Sequence, residues 1–303
     1  MKVVVTGATG FIGRALVRAL LNRGDTVVAL SRGIASAQGA LGPDVEVVQW
    51  DAKNQGPWSR VMETADAVVN LAGEPVGYMR WTKAKMDRIL SSRVDATRAI
   101  VEAIVRAEHR PGVLVNASGI DVYGSRGDMA LTEASPVQPN YFLARVAQQW
   151  EVATEPAKEQ GVRVVLLRTA LVLGQGGSLQ AMALPFKLFG GGTLGTPGQW
   201  VSWIHIDDEI GLILFALDRD DVRGPLNATA PNPVTIDVFS QQIARATGRP
   251  SWVPFVGLGM KLALGDLADV LLASRKVLPE VALQHGYAFR HTDSGETLRG
   301  LLG

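Results

Sequence analysis

Runs of β-branched and aliphatic residues alternate along the chain with longer stretches in which apolar residues recur at helical spacing. The short runs are typical of strands that are buried on both faces of a sheet. They predict six strands, at Val3–Val5, Thr26–Leu30, Val45–Trp50, Ala67–Gly73, Gly112–Gly119 and Val162–Arg168. Helical spacing is clearest from about Thr82 to Ala107 and from about Asn140 to Gln160. Strands that alternate with helices predict an α/β fold with a doubly wound parallel sheet.

The second half of the chain has a different composition. Residues 174–198 are rich in glycine around a predicted helix, Leu179–Leu188. A short strand then ends in the acid pair Asp207-Asp208, which we expect to cap a helix over Glu209–Leu217. The remainder mixes short strands with helices predicted at Ile236–Thr247, Gly257–Ala273 and Ser294–Leu302. We therefore expect a nucleotide domain of residues 1–175 plus 200–226 and a smaller α+β substrate lobe of residues 176–199 plus 227–303.

The first strand leads into a glycine-rich turn and then into an amphipathic helix. This is the context that a dinucleotide-binding fingerprint requires in a Rossmann-like fold. Gly7 permits the tight turn, Gly10 lets backbone approach a pyrophosphate, and Gly13 lets helix and strand pack closely. Backbone N–H groups at the helix start supply positive potential for phosphates. The predicted contacts are Gly7, Thr9, Gly10, Phe11, Ile12 and Gly13.

The ends of the next strands supply further cofactor candidates. After the second strand, Arg32 stands where an acidic residue would bind the ribose 2′-hydroxyl of NAD. An arginine pairs instead with a 2′-phosphate and favours NADP; the alternative is a solvent-exposed loop arginine. Asp51 follows the third strand and would accept from adenine or cap the next turn. Leu71, Ala72 and Gly73 end the fourth strand, where small residues let backbone lie against a ribose or nicotinamide.

Two features point to the substrate side of the same sheet. Ser118 ends the fifth strand, where an open parallel sheet places its ligand crevice, so it is a catalytic candidate. The start of the long helix is basic, which is typical of a solvated face or of a cleft rim that faces an anionic substrate. These basic residues are Arg80, Lys83, Lys85, Arg88 and Arg93.

Composition and charge exclude several function classes. The 30 basic and 29 acidic residues give a net charge of +1 without a long run of one sign, so we expect no nucleic-acid partner. Cysteine is absent, and His109, His285 and His291 show no metal-ligand spacing, so no metal site is expected. Charged residues interrupt the apolar segment 255–273, so we expect no membrane span. The chain opens inside its first strand, and we therefore expect a cytoplasmic protein. Its long exposed crossover helices are compatible with a homodimer.

The opening turn resembles that of extended short-chain dehydrogenase/reductases, with one residue more between its first two glycines than the usual fingerprint. More narrowly, the chain resembles the atypical YfcH-like epimerase-family branch. The matching segments span nearly the whole chain: Asn70-Leu71-Ala72-Gly73-Glu74-Pro75, Arg80-Trp81-Thr82, Ser92-Arg93-Val94-Asp95, Leu167-Arg168-Thr169, Trp200–Asp208 and Asn227-Ala228-Thr229-Ala230-Pro231. The resemblance implies an NADP-binding epimerase, dehydratase or oxidoreductase with a small extra C-terminal domain.

The same resemblance implies where acid/base chemistry would lie. Short-chain dehydrogenases usually combine a Ser or Thr, a Tyr that acts as acid/base, and a Lys four residues after the Tyr. Here Tyr141 and Arg145 have that spacing, and one helical turn would bring them onto one face. An arginine carries the charge of the lysine but does not relay a proton. The segment Trp150-Glu151 also matches the branch in a register that leaves Tyr141 outside the catalytic position, and Tyr123 is the second candidate.

These observations lead to one hypothesis and one rival. The hypothesis is hydride transfer between NADP and a small carbonyl or sugar-like substrate, with Ser118 polarising the oxygen and Tyr141 moving the proton; an epimerase or dehydratase that retains its cofactor is a variant of it. The rival is a non-catalytic, NADP-responsive regulatory or binding protein. Arg145 at the lysine position favours the rival, whereas Ser118 at the crevice favours the enzyme.

Overall fold

A seven-stranded parallel sheet forms the centre of the molecule. The structure is a computed structural model that describes residues 1–77, 79–189, 191–192, 198–251 and 265–303. The strands in these ranges are β1 (Lys2–Thr6), β2 (Thr26–Ser31), β3 (Glu46–Gln49), β4 (Ala67–Asn70), β5 (Val113–Gly119), β6 (Ala130–Leu131), β7 (Arg163–Thr169), β8 (Leu171–Leu173), β9 (Trp200–Val201), β10 (Trp203–His205), β11 (Gly224–Ala228), β12 (Val234–Thr235) and β13 (Lys276–Val277).

Helices connect most of these strands. In chain order, the described helices are α1 (Phe11–Asn22), α2 (Ile34–Leu41), α3 (Lys83–Arg106), α4 (Phe142–Val152), α5 (Glu155–Glu159), α6 (Ser178–Lys187), α7 (Ile206–Asp218), α8 (Ile236–Thr247), α9 (Asp266–Leu271), α10 (Glu280–Gln284) and α11 (Ser294–Leu302). Two 3₁₀ helices, Pro57–Thr64 and Ile120–Tyr123, complete the connections.

The sheet has the strand order β11-β7-β5-β4-β1-β2-β3, and every pairing in it is parallel. The chain winds outward from β1 in both directions, so the order reverses between β1 and β4. In an open parallel sheet, the carboxyl ends of the strands beside such a switch point form the ligand crevice. This topology confirms the predicted Rossmann-like α/β fold.

Both faces of the sheet are buried, which explains the continuous apolar runs of its strands. Val3 and Val5 point to the face covered by α1 and α7, and Val4 points to the face covered by α3. All three valines are fully buried, so β1 shows no alternation of apolar and polar residues.

The structure corrects several predicted elements. The sheet contains a seventh strand, β11, that lies across the boundary expected at residue 226. The helix predicted over Asn140–Gln160 is two helices, α4 and α5, and Pro156 lies in the first turn of the second, where a proline is tolerated. The helix predicted at Gly257–Ala273 lies largely outside the described residues, which include only its last part as α9.

The predicted role of the acid pair at the start of α7 is also wrong. The helix begins at Ile206, and its N-cap is His205, whose Nδ1 accepts the N–H of Asp207 at 3.1 Å. Asp208 is fully buried and accepts the N–H groups of Arg290 and His291, each at 2.9 Å. These two hydrogen bonds therefore hold the C-terminal segment that contains Arg290 and His291 against α7.

A smaller core lies outside the sheet and joins α6, α8 and α11 to β10. Trp203 and Phe239 are its largest buried side chains. No helix in the described ranges is both long enough and apolar enough to cross a membrane.

Candidate functional site

Three glycines allow the turn between β1 and α1 to fold tightly. Gly7 has a φ of +64°, in the left-handed region that favours glycine, and a Cβ there would lie 2.5 Å from the carbonyl oxygen of Leu71. A Cβ on Gly13 would lie 2.2 Å from the oxygen of Gly7, and one on Gly10 would lie 3.1 Å from it. The tight turn predicted at Gly7 and the close packing predicted at Gly13 therefore have a steric cause, whereas the approach of a pyrophosphate to Gly10 stays a prediction.

The start of α1 is open to an anion. Thr9 and Gly10 are exposed, the helix has no side-chain cap, and its first turn contains no acidic residue. The first N–H groups of a helix have no partner within it, so those of Phe11, Ile12 and Gly13 are available to phosphate oxygens. The ring of Phe11 packs against the segment that follows β8, where a Cβ on Gly174 would lie 2.7 Å from it and one on Gly177 3.1 Å from it.

A buried polar network holds the loop after β4 against this turn. The hydroxyl of Thr6 donates to Asn70 Oδ1 at 2.6 Å and accepts the N–H groups of Leu71 and Ala72 at 3.1 and 3.0 Å. Asn70 Nδ2 donates in turn to Asn116 at 2.7 Å. The buried donors are thus satisfied, and Leu71, Ala72 and the exposed Gly73 are fixed beside Gly7.

A cleft of about 760 Å³ lies at the carboxyl ends of β2 and β3. Arg32 and Asp51 both line it, with Trp50 and Trp58 contributing aromatic surface. Arg32 is exposed, which agrees with both alternatives for it, a loop arginine in solvent and a partner of a 2′-phosphate. Asp51 accepts the N–H groups of Lys53 and Asn54 at 2.9 and 2.8 Å, and these bonds lower its pKa.

Of the two alternatives for Asp51, the structure thus contains the turn cap. Its contact with adenine stays a prediction, as do the other cofactor contacts.

The predicted catalytic serine is held by a buried ion pair. Ser118 Oγ donates to Glu151 Oε1 at 2.8 Å, and Arg168 binds both oxygens of Glu151 at 2.8 Å each. Arg168 also donates to Tyr123, which donates to Asn227. Burial raises the pKa of Tyr123 to about 12, so the phenol is neutral and structural in this network.

The predicted Tyr141 and Arg145 pair is not brought together. Tyr141 is the buried N-cap residue of α4, whereas Arg145 is exposed on the helix surface, so the expectation of one shared face is wrong. Instead, Tyr141 OH donates to Asp121 Oδ1 at 2.8 Å and contacts Arg275, which also binds Asp121 at 2.9 Å. The cation beside the tyrosine is therefore Arg275, from the far end of the chain.

Burial and the charge of Asp121 raise the pKa of Tyr141 above its usual range. The phenol therefore holds its proton at neutral pH.

Sequence reasoning missed the charged partners at this edge: Asp121, Arg168 and Arg275. A signal existed for Arg168, because a charge within the buried strand β7 requires a buried partner. No local pattern identifies Arg275, since 154 positions separate it from Asp121.

Histidines that are far apart in the sequence also meet. The rings of His205 and His291 stack with centroids 3.8 Å apart, and Asp207 Oδ2 lies 3.6 Å from a nitrogen of each. Burial and the neighbouring His291 lower the pKa of His205. Nδ1 of His205 already accepts a hydrogen bond from the backbone N–H of Asp207. The expectation that no metal binds stays a prediction.

Comparison with known proteins identifies the class to which this fold and site belong. Residues 3–228 match the NAD dependent epimerase/dehydratase family, and residues 257–301 match a domain of unknown function, DUF1731. The chain therefore belongs to the epimerase/dehydratase family and has the extra C-terminal domain that its resemblances implied.

Individual relatives are similar over nearly the whole chain. Epimerase family protein YfhF of Bacillus subtilis is 35% identical over 293 residues, which cover 97% of this chain and 95% of the relative. Epimerase family protein SDR39U1 homolog, chloroplastic, of Arabidopsis thaliana is 38% identical, with 100% and 87% covered. A crystal structure of human epimerase family protein SDR39U1 (isoform 2) with NADPH has a TM-score of 0.87 at 32% identity, with 100% and 99% covered.

Proposed function

We propose that the chain binds NADP(H) at the carboxyl edge of β1, β2 and β4. The observation that carries this proposal is the opening turn, where Gly7 and Gly13 allow a tight fold that a side chain at either position would prevent, and where the first N–H groups of α1 have no side-chain cap. The similar human structure with NADPH supports the same cofactor.

The chain's own residues have distinct parts in this binding. The amides at the start of α1 would hold the pyrophosphate, and Arg32 would pair with the 2′-phosphate at the mouth of the cleft beyond β2 and β3. Leu71, Ala72 and Gly73 would lie along the ribose and nicotinamide, since the network under Thr6 fixes their backbone beside Gly7.

The chemistry we propose is the reduction of a small carbonyl or sugar-like substrate, or an epimerisation through such a carbonyl, in which the proton of the substrate hydroxyl would pass through Tyr141 to Asp121 and return. When bound, the cofactor supplies or accepts the hydride. Tyr141 would give its proton to the substrate oxygen, with Asp121 and Arg275 orienting the phenol. Each hydroxyl is directed at a carboxylate in this structure, Tyr141 at Asp121 and Ser118 at Glu151, so each would turn to the substrate oxygen on binding, and Ser118 would polarise that oxygen.

The cofactor proposal is tested by a glycine pair. Gly13→Ala places a Cβ against Gly7, so we expect NADPH affinity to fall at least 100-fold, roughly 3 kcal/mol. Gly39→Ala is the matched control, because Gly39 lies in a helix with nothing near its missing side chain, and its NADPH affinity should not change. Calorimetry measures both. Equal affinities in the two variants, or no binding to the unaltered protein, would reject the proposal.

The chemistry is tested separately by following NADPH absorbance with a panel of aldehydes, ketones and oxo acids. Tyr141→Phe should bind NADPH normally and lose turnover. Turnover that survives this substitution would remove Tyr141 from the reaction.

A second candidate function is a non-catalytic, NADP-responsive protein. It is favoured by the engagement of Ser118 with Glu151 and by the exposure of Arg145. Tight NADPH binding without turnover on any member of the panel would support it over the enzyme.

A further inference from the structure

Arg93 is a partly buried cation on α3 that faces the loop after β4. Its Nη1 donates to two backbone oxygens, those of Glu74 and Ile89, each at 3.0 Å. Its Cζ lies 5.2 Å from the centre of the Trp150 ring, so the guanidinium is held in place by an aromatic contact. Nε and Nη2 have no acceptor among the described residues.

No carboxylate is dedicated to this charge. The two nearest acidic groups are already engaged: Glu74 with Lys85 and Arg88, and Asp121 with Arg275 and Tyr141. Neither forms an ion pair with Arg93 within the described ranges, and the residues outside those ranges include no Asp or Glu. Burial lowers the pKa of Arg93 to about 10, which leaves it charged at neutral pH.

A charged group that is removed from water without a partner is costly. The protein therefore gains stability if an anion from outside completes this site.

Space for that anion exists beside the guanidinium. Gly73 is exposed, and a Cβ on it would lie 3.1 Å from Arg93 Cζ and 3.3 Å from Nη2. A side chain at this position would thus press on the guanidinium and on its Nη2 donor, both of which glycine leaves unobstructed. Arg93 and Arg275 bring two positive charges to this edge against the one negative charge of Asp121. Lys85 and Arg88 also outweigh the nearby Glu74, which leaves a net positive field for an entering anion.

The position suits a substrate rather than the cofactor phosphates. The opening turn and the cleft that contains Arg32 lie toward β1, β2 and β3, whereas Arg93 lies beside Gly73 and near Asp121, at the ends of β4 and β5. This is the side on which the proposed proton donor, Tyr141, is placed.

We propose that Arg93 binds the carboxylate of the substrate, and that the substrate is accordingly a small oxo acid or a sugar acid. The free Nε and Nη2 donors form the edge of a guanidinium that pairs side-on with the two oxygens of a carboxylate. The substrate class rests on the proposed function, but the anion site itself does not.

Malonate is the probe, titrated by calorimetry into the protein saturated with NADP⁺ and also into the protein alone. Acetamide is the neutral comparison and inorganic phosphate the tetrahedral one. We expect malonate to bind and acetamide not to bind. Arg93→Gln should weaken malonate at least tenfold, and Arg93→Lys should restore part of the affinity because it restores the charge. Arg98→Gln, on an exposed position of the same helix, is the matched control and should not change it.

Several outcomes would overturn the inference. It fails if malonate binds no better than acetamide, if Arg93→Gln binds malonate as tightly as the unaltered protein, or if phosphate binds more tightly than malonate through Arg93. Failure of the unaltered protein to bind NADP⁺ would instead count against the proposed function, and the titration without NADP⁺ would still report on Arg93. Where an oxo acid is turned over, Arg93→Lys should raise KM more than it lowers kcat. A melting curve for each variant shows that it is folded.

Discussion

The two ends of the crevice are built in different ways. At the nucleotide end, the turn of Gly7, Gly10 and Gly13 presents backbone, and the side chains are small or directed away. At the β5 end, charged side chains from distant parts of the chain bind one another, as in the pair of Glu151 with Arg168. The N–H groups at the nucleotide end need a ligand as their acceptor, whereas most polar groups at the β5 end bind one another within the protein. The comparison teaches that backbone and charged side chains can form the two ends of one crevice independently of each other.

The largest effect that would sharpen this comparison comes from the buried ion pair. Glu151→Gln leaves the Arg168 charge buried without its carboxylate, so we expect a loss of about 3–5 kcal/mol in the free energy of unfolding. NADPH affinity of the folded fraction should change little, since the opening turn is untouched. Denaturant unfolding and calorimetry measure the two effects. Glu155→Gln, on an exposed helix, is the control and should be neutral. Equal loss of stability in the two variants would contradict the structural role of the pair.

The next effect concerns pH and another buried acid at the same end. Glu209 is fully buried, its Oε1 accepts from Thr169, and burial raises its pKa to about 8. The folded protein thus keeps a proton that the unfolded chain releases near pH 4.5. This contribution to stability is complete below pH 4.5 and is lost as the pH rises toward 8, by about 1.4 kcal/mol per pH unit.

Glu209→Gln removes that titration, so the variant should gain stability relative to the unaltered protein as the pH rises from 5 to 8. Urea unfolding at several pH values measures the difference between the two proteins. A difference that does not depend on pH would mean that Glu209 is ionised in the folded state.

The smallest effect belongs to the nucleotide end. Arg32→Ala should weaken NADPH about tenfold, roughly 1.4 kcal/mol, and leave NADH unchanged, because only NADPH carries the 2′-phosphate. Arg18→Ala, an exposed arginine of α1, is the control and should not alter the ratio of the two affinities. Stability should be unaffected by either substitution. If NADH weakens as much as NADPH, Arg32 does not select the phosphate.

What the sequence could predict follows the same division. The opening turn was predictable because its strand, glycines and helix are adjacent, and each glycine acts within a few residues of its position. The parallel sheet was predictable because strands that are buried on both faces contain continuous apolar runs, such as Val3–Val5. The strand β11 was not, since its residues 224–228 include a glycine, a proline and an asparagine rather than an apolar run.

The β5 end could not be predicted for a different reason. Its hydrogen bonds join residues that are far apart in the sequence and meet only in the folded chain: Tyr123 bonds to Asn227 across 104 positions, and Arg275 to Tyr141 across 134. Helical spacing proposed Arg145 as the cation beside Tyr141, but Tyr141 precedes α4 as its N-cap, so the spacing argument did not apply. The cation there comes from tertiary structure.

The packing of Phe11 has a practical consequence for protein engineering. Because its ring fills the space left by Gly174 and Gly177, the nucleotide turn and the segment after β8 are a matched pair of surfaces. A protein engineer who moves the opening turn into another scaffold must also move the segment after β8, or replace Phe11 with a smaller residue, to keep the first turn of α1 in its present position.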